Sequence, residues 1–264
     1  VHPIERLRYV ARSSGAASSA LVEETAAALR SFGGDPQGLV TACRRIVARQ
    51  PTAGPLWYLA ARALTSADGV AEAQRAATAV ADDRTPHELA RALPDGATVL
   101  AVGWPDHGAA VFARRGDLRV RVVDAGGEGG ALVDALRRAD VDAVDVPDRG
   151  TGPAAAEVDL VVLEATAAGP GGALVPWGST AAAAVARVEG HPVWLVGGVG
   201  RWLPERLFGA MVDRVVSDQP WLDDAELLPL DLVDEVVGPT GRSSVEEAVT
   251  SIDCPPAPEL YRAL

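Results

Sequence analysis

The residues of this chain with the plainest chemical potential lie in two glycine-rich loops and at one charged strand end. Asp124-Ala125-Gly126-Gly127-Glu128-Gly129-Gly130 follows a β-branched run. Such a loop either presents backbone N–H groups to a phosphate or serves as a flexible strand-to-helix turn. It is not G-x-G-x-x-G and lacks the Gly-Lys-Ser/Thr ending of a P-loop. Gly197-Gly198-Val199-Gly200-Arg201 ends in a fixed cation, and arginine suits bidentate phosphate or carboxylate recognition as well as surface ion pairing. Asp159 and Glu164 flank one apolar run, about 15 Å apart at roughly 3.3 Å per residue, too far to act as an acid–base pair. His2, His87, His107 and His191 show no metal-ligand spacing, and His107 fits a helix start after Pro105-Asp106, so no metal is expected. No serine sits in a nucleophile elbow, and neither Cys43 nor Cys254 stands at a strand end, which leaves covalent catalysis without a carrier. The chain has no lysine, which excludes Schiff-base chemistry.

The elements that must position these loops fall into two kinds. From Ile4 to about Leu93 the spacing is helical, interrupted at Gly33-Gly34-Asp35-Pro36, Gln50-Pro51 and Thr85-Pro86. Leu21, Ala28, Leu29 and Phe32 form one apolar stripe over 17–32. Asp35 before Pro36 predicts an N-cap, 53–64 a further helix, and Asp68 the start of the next. After Pro94-Asp95-Gly96, β-branched runs at Thr98–Val102, Leu118–Val123, Val141–Val146, Asp159–Leu163 and Val193–Val196 alternate with helical stretches at 107–114, 130–139 and 179–188. That alternation predicts a doubly wound parallel sheet, with ligands outside the carboxyl ends of the strands. The expected organisation is a helical domain over 1–94 and a Rossmann-like α/β domain over 95–264. Trp104, Trp177 and Trp202 fall in or beside strand-end loops, where they would wall a pocket, close a subunit interface or pack in the core.

Composition narrows the partners. A net charge of −12 opposes attraction to nucleic acid or anionic lipid. No apolar run approaches the roughly 18 residues of a membrane span, and the start of the chain does not read as a signal peptide. A cytoplasmic protein without disulfide framework or cofactor is expected.

The order of segments resembles the family that groups the α, β and δ subunits of translation initiation factor 2B with methylthioribose-1-phosphate and ribose-1,5-bisphosphate isomerases. Arg49-Gln50-Pro51-Thr52-Ala53 is similar to its Arg-Pro-Thr-Ala turn, and Ser14-Gly15-Ala16 to its Arg-Gly-Ala segment. Thr98–Gly103 is similar to its first strand. Asp159–Thr166, followed by Gly171–Thr180, resembles its long signature of a strand ending in Gly-Ala-Asp, a glycine turn, then Asn-Lys-Ile-Gly-Thr. The resemblance implies a ribose-5-phosphate isomerase/CoA-transferase-like fold and a homodimer. It also places Gly103 and Thr166 where the isomerases carry their catalytic cysteine and aspartate, and neither side chain can move a proton near neutral pH. Ser14, Gln50 and Gly126-Gly127 replace family arginines, with Arg12 and Arg49 close by in sequence.

The expected function is therefore a non-catalytic, initiation factor 2B-like protein that binds a phosphorylated sugar or nucleotide, or a protein partner, between helices and sheet. Its binding residues would be Gly15, Arg49, Thr52, Gly103, Trp104, Thr166 and Arg201, with catalytic residues none. The enzymatic alternative is a divergent aldose–ketose isomerase using Asp106 or Glu164 as base and Arg201 for phosphate. The structural alternative is an assembly subunit whose vestigial pocket is filled by Trp104 and Trp177.

Overall fold

The computed structural model describes residues 18–261. The helical stretches form α1 (Ser18–Leu29), α2 (Pro36–Arg49), α3 (Gly54–Thr65) and α4 (Gly69–Ala81). Asp35 and Asp68 each accept a backbone N–H of the first turn, from Gly38 at 2.9 Å and Ala71 at 3.0 Å. Each bond satisfies a donor that the helix itself leaves unpaired. Pro36 sits in the first turn of α2, where a missing N–H costs nothing. In the stripe of α1, Leu21, Ala28 and Leu29 are buried, and a half-buried Phe32 follows at the end of a 3-10 turn. Helix α3 is buried from Gly54 through Ala61 and packs on α1, α2 and α4, as expected of a helix apolar on nearly all sides.

Helix α5 (Thr85–Ala92) leaves this bundle, and its Leu89 joins the core under the sheet with Val99, Phe112 and Val237. The chain then runs through β1 (Thr98–Val102), α6 (Asp106–Phe112), β2 (Arg119–Val123), α7 (Gly129–Arg138), β3 (Asp142–Val146), α8 (Thr151–Ala155) and β4 (Leu160–Glu164). It continues through β5 (Ala167–Gly169), β6 (Gly172–Pro176), α9 (Ser179–Glu189), β7 (Val193–Val196) and α10 (Glu205–Val215). The last elements are β8 (Ala225–Leu228), β9 (Glu235–Gly238), β10 (Gly241–Ser243) and α11 (Val245–Thr250). Seven strands form one sheet in the order β10-β9-β7-β4-β1-β2-β3, all parallel except β10. The five predicted strands are present to within a residue or so at each end. Glu164 is the last residue of β4, and Asp159 precedes that strand and accepts the Thr98 N–H at 2.7 Å.

The sequence reading lacked the second sheet, the antiparallel β5-β6-β8, and the closing strands β9 and β10. Strands β5 and β10 are three residues each and β5 is Ala-Ala-Gly, too short and too poor in β-branched residues to give a period-two signal. The small sheet ties the two parts together, because Ala167 and Leu174 enter the same core as α1–α4, along with Phe208 and Met211 of α10. No helix among the described residues is long and apolar enough to cross a membrane.

Candidate functional site

Strands β1 and β4 are neighbours, but from β1 the chain winds toward β3 and from β4 toward β9. Where strand order reverses in this way, loops diverge and leave a crevice beyond the carboxyl ends. A cleft opens there, in two adjoining compartments of about 390 and 400 Å³ that share Thr52, Trp104, Glu128, Thr166 and Pro176 as walls. The inner compartment reaches Ser18, Gln50, Asp106, Glu164 and Arg201, and the outer one reaches Gly103, Gly126 and Asp224.

Local geometry sets each wall. Gly103 ends β1 with φ +65°, a left-handed conformation that glycine adopts without strain, and its N–H donates to the Val123 carbonyl at 2.9 Å. Trp104 follows, 41% exposed. Thr166 donates its N–H and its hydroxyl to the Leu174 carbonyl, at 2.9 and 3.2 Å. Its own carbonyl accepts the Gly54 N–H at 3.1 Å, which docks the start of α3 on the sheet. A Cβ at Gly54 would sit 2.5 Å from that carbonyl oxygen. Gly54→Ala should therefore destabilise the protein by about 1–3 kcal/mol, the cost of overpacking a tight contact. Urea unfolding reads this, and an unchanged midpoint would mean that α3 shifts freely against β5.

Beneath the inner compartment lies a buried ion cluster. Glu164 accepts the backbone N–H groups of His107 and Gly108 at 2.9 and 3.0 Å, His107 Nδ1–H at 2.9 Å and an Arg201 guanidinium N–H at 3.0 Å. Asp83, from the segment after α4, accepts His107 Nε2–H at 3.2 Å, the Val199 N–H at 2.7 Å and both the N–H and hydroxyl of Thr85. Arg201 also donates to the Ala165 carbonyl and, at 3.3 Å, to Asp106, whose carboxylate accepts the Ser18 hydroxyl at 2.6 Å. With a carboxylate against each ring nitrogen, His107 is held as the doubly protonated imidazolium. Burial alone would depress its pKa, but the hydrogen bonds to Asp83 and Glu164 overcome this and raise it to about 9. Burial likewise opposes ionisation of Glu164 and Asp83. For Glu164 the Arg201 charge and then the His107 hydrogen bond prevail, and for Asp83 the hydrogen bonds from His107 and Thr85, so both carboxyls lie well below the ordinary range.

Of the residues singled out from sequence, Thr52, Gly103, Trp104 and Thr166 line the cleft and Arg201 forms part of its floor. Arg201 is 3% exposed and held by Glu164, Asp106 and Ala165. Arg49 is exposed at the end of α2, outside the cleft lining, and Gly15 lies outside the described residues, as do Arg12 and Ser14. Trp177 packs half-buried on the sheet's core instead of entering the cleft, so no indole fills the space. Sequence reasoning missed Asp83, Glu128 and the electrostatic role of His107. A charge closing an otherwise apolar strand, as Glu164 does, was the one signal available, since a buried carboxylate needs a cation.

This is an α/β protein of Rossmann-like build, with a helical part packed over a cleft at the strand switch point. Solved structures it is similar to include initiation factor 2B subunits. The Pyrococcus horikoshii OT3 translation initiation factor eIF-2B superposes with a TM-score of 0.78 at 14% identity, over 94% of this chain and 98% of that one. The eIF2B β subunit of Chaetomium thermophilum gives 0.73 at 16% identity over 97% and 92%. A chain of the tetrameric eIF2B β2δ2 complex of C. thermophilum gives 0.73 at 18% over 94% and 92%. The likeness is one of fold. No family model matches the sequence, and no curated protein matches it.

Proposed function

We propose that this chain is a non-catalytic, cytoplasmic member of the initiation factor 2B-related family, with a helical domain over 1–94 and a Rossmann-like domain over 95–264. Its cleft binds a small molecule, and it assembles at least as a homodimer. The observation that carries this reading is the pair Gly103 and Thr166. Both line the outer compartment at the ends of β1 and β4, and the Thr166 hydroxyl is turned to the Leu174 carbonyl; the sequence resemblance sets these two residues against the isomerases' cysteine and aspartate. A proton shuttle between C1 and C2 of a sugar needs an acid and a base there, and neither side chain supplies one. Glu164 does not replace them, since all its bonds go to His107, Gly108 and Arg201 and it is held ionised. Assembly is supported by fold likeness to a subunit of a tetrameric complex.

The test is an NMR assay of aldose-to-ketose conversion on ribose 1-phosphates alongside calorimetric titration of small hydroxylated ligands. The expected result is heat of binding with no turnover. Turnover abolished by Asp106→Asn would establish the isomerase reading instead, because Asp106 is the partly exposed carboxylate at the inner compartment.

A further inference from the structure

The small antiparallel sheet ends on an unguarded edge. Strand β5 is covered on its outer side, where Ala168 donates to the Arg201 carbonyl at 2.7 Å and accepts the Leu203 N–H at 2.8 Å, but β8 pairs with β6 alone among the described strands. Leu174 of β6 turns its carbonyl toward the β5 side, where it accepts the Thr166 N–H, so Leu227, opposite Leu174 in β8, points its own N–H and C=O away from β6. Ala225, two residues earlier, does the same. Such an edge is a template for another strand unless charge, proline or a covering element blocks it. The outermost strand β3 of the large sheet carries the exposed Asp142 and Asp145, whereas the single charge on β8, Glu226, is drawn aside to the Thr180 N–H at 2.6 Å. Immediately before β8, a 3-10 turn (Pro220–Leu222) presents Trp221 and Leu222, 76% and 71% exposed. The turn is braced by the Ser217 N–H on the Asp223 carboxylate at 2.7 Å and the Leu222 N–H on the Gln219 carbonyl at 2.9 Å, so the pair is held out in a fixed position. At these exposures the two side chains offer roughly 300 Å² of apolar surface. That is more than half of the apolar area in a standard homodimer interface, which takes about 800 Å² per partner and is about 65% apolar. A second copy satisfies both features at once. Antiparallel pairing of a strand with its own copy is closed by a two-fold axis, so one contact uses up both open edges and covers both Trp221–Leu222 pairs.

We infer that two copies of this chain join edge to edge through β8, with Trp221 and Leu222 as the apolar anchors of the interface. The inference rests on the assembly reading above and assigns its surface. Because Asp224 and Ala225 also line the outer compartment, the seam runs along the rim of the cleft.

The experiment uses the full chain. Sedimentation equilibrium should give a dimer for wild type, and Trp221→Ser/Leu222→Ser should raise the dimer dissociation constant by about 30-fold or more, as loss of interface anchors does. Val188→Ser, which alters an equally exposed apolar side chain on α9, should leave the constant unchanged. Because Trp221 and Leu222 are exposed, the double variant should keep the urea midpoint that wild type shows when diluted to monomer. Hydrogen exchange reads the edge itself: protection of the outward-facing Leu227 amide should rise with wild-type concentration across the dissociation range and stay constant in the double variant. An unchanged dissociation constant in the double variant overturns the inference and leaves assembly through another surface standing. A dimer whose Leu227 amide gains no protection overturns it as well. A wild type that remains monomeric at about 100 μM overturns both this inference and the assembly reading, and leaves the patch to a different chain.

Discussion

Glu164→Ala should lower the unfolding free energy by about 3–5 kcal/mol, the usual cost of removing one partner from a buried ion pair. The carboxylate and the Arg201 guanidinium are each 4% exposed, so deletion leaves a buried cation whose remaining counter-charge is the partly exposed Asp106 at 3.3 Å. The same deletion strips the acceptor from the His107 and Gly108 N–H groups at the start of α6 and from His107 Nδ1–H. Each buried donor left unpaired adds its own desolvation penalty. Glu164→Gln keeps the shape and one acceptor oxygen and should fall between wild type and alanine. The mechanism is separable from simple loss of packing: Glu164→Gln combined with Arg201→Met removes both charges and should be less damaging than Glu164→Ala alone. Denaturant unfolding of the four proteins checks this. A loss under about 1 kcal/mol for Glu164→Ala would show that the pair is solvated and not a structural part of the cleft floor.

How much of this was legible beforehand depends on the range of the interaction. Strands β1, β2, β3, β4 and β7 were readable because each is a short β-branched run, and caps at Asp35 and Asp68 because the donor they satisfy is three residues away. Gly103 and Thr166 could be paired only through resemblance to a family pattern, since nothing local connects residues at the ends of two different strands. The ion cluster was legible only as a lone charge, Glu164, closing an apolar strand. His107 was correctly placed at a helix start, but its charge state depends on Asp83, 24 residues earlier, and on Glu164, 57 residues later. Arg201 illustrates the same limit. As a sequence feature it was a cation at the end of a glycine loop, free to meet an anion, whereas in the fold the carboxylate it meets is the chain's own.

The His107 centre also dictates an unusual alkaline sensitivity. Its folded pKa of about 9 lies above the ordinary 6.5, so its contribution to stability is complete below about pH 6.5 and is lost as pH rises through about 9. That shift corresponds to a contribution of order 3 kcal/mol. Glu164 and Asp83 work in the other direction. Their folded values are depressed, so their contributions are complete above the ordinary carboxyl range and disappear as pH falls below it. Together they predict maximal stability between about pH 4.5 and 6.5, with the limb from about 6.5 to 9 belonging to His107. His107→Gln retains a side chain able to hydrogen-bond but has no proton to lose, so its urea midpoint should be flat across that alkaline window, with the acid limb preserved. Because the cluster joins the segment after α4 to the strand ends, loss of His107 charge weakens the contact that holds the helical part over the cleft. Hydrogen exchange should then show the Val199 amide, bonded to Asp83, losing protection in wild type before global unfolding as pH is raised. A wild-type midpoint independent of pH across 6.5 to 9 would mean that His107 titrates normally and is not the cation that balances Asp83 and Glu164.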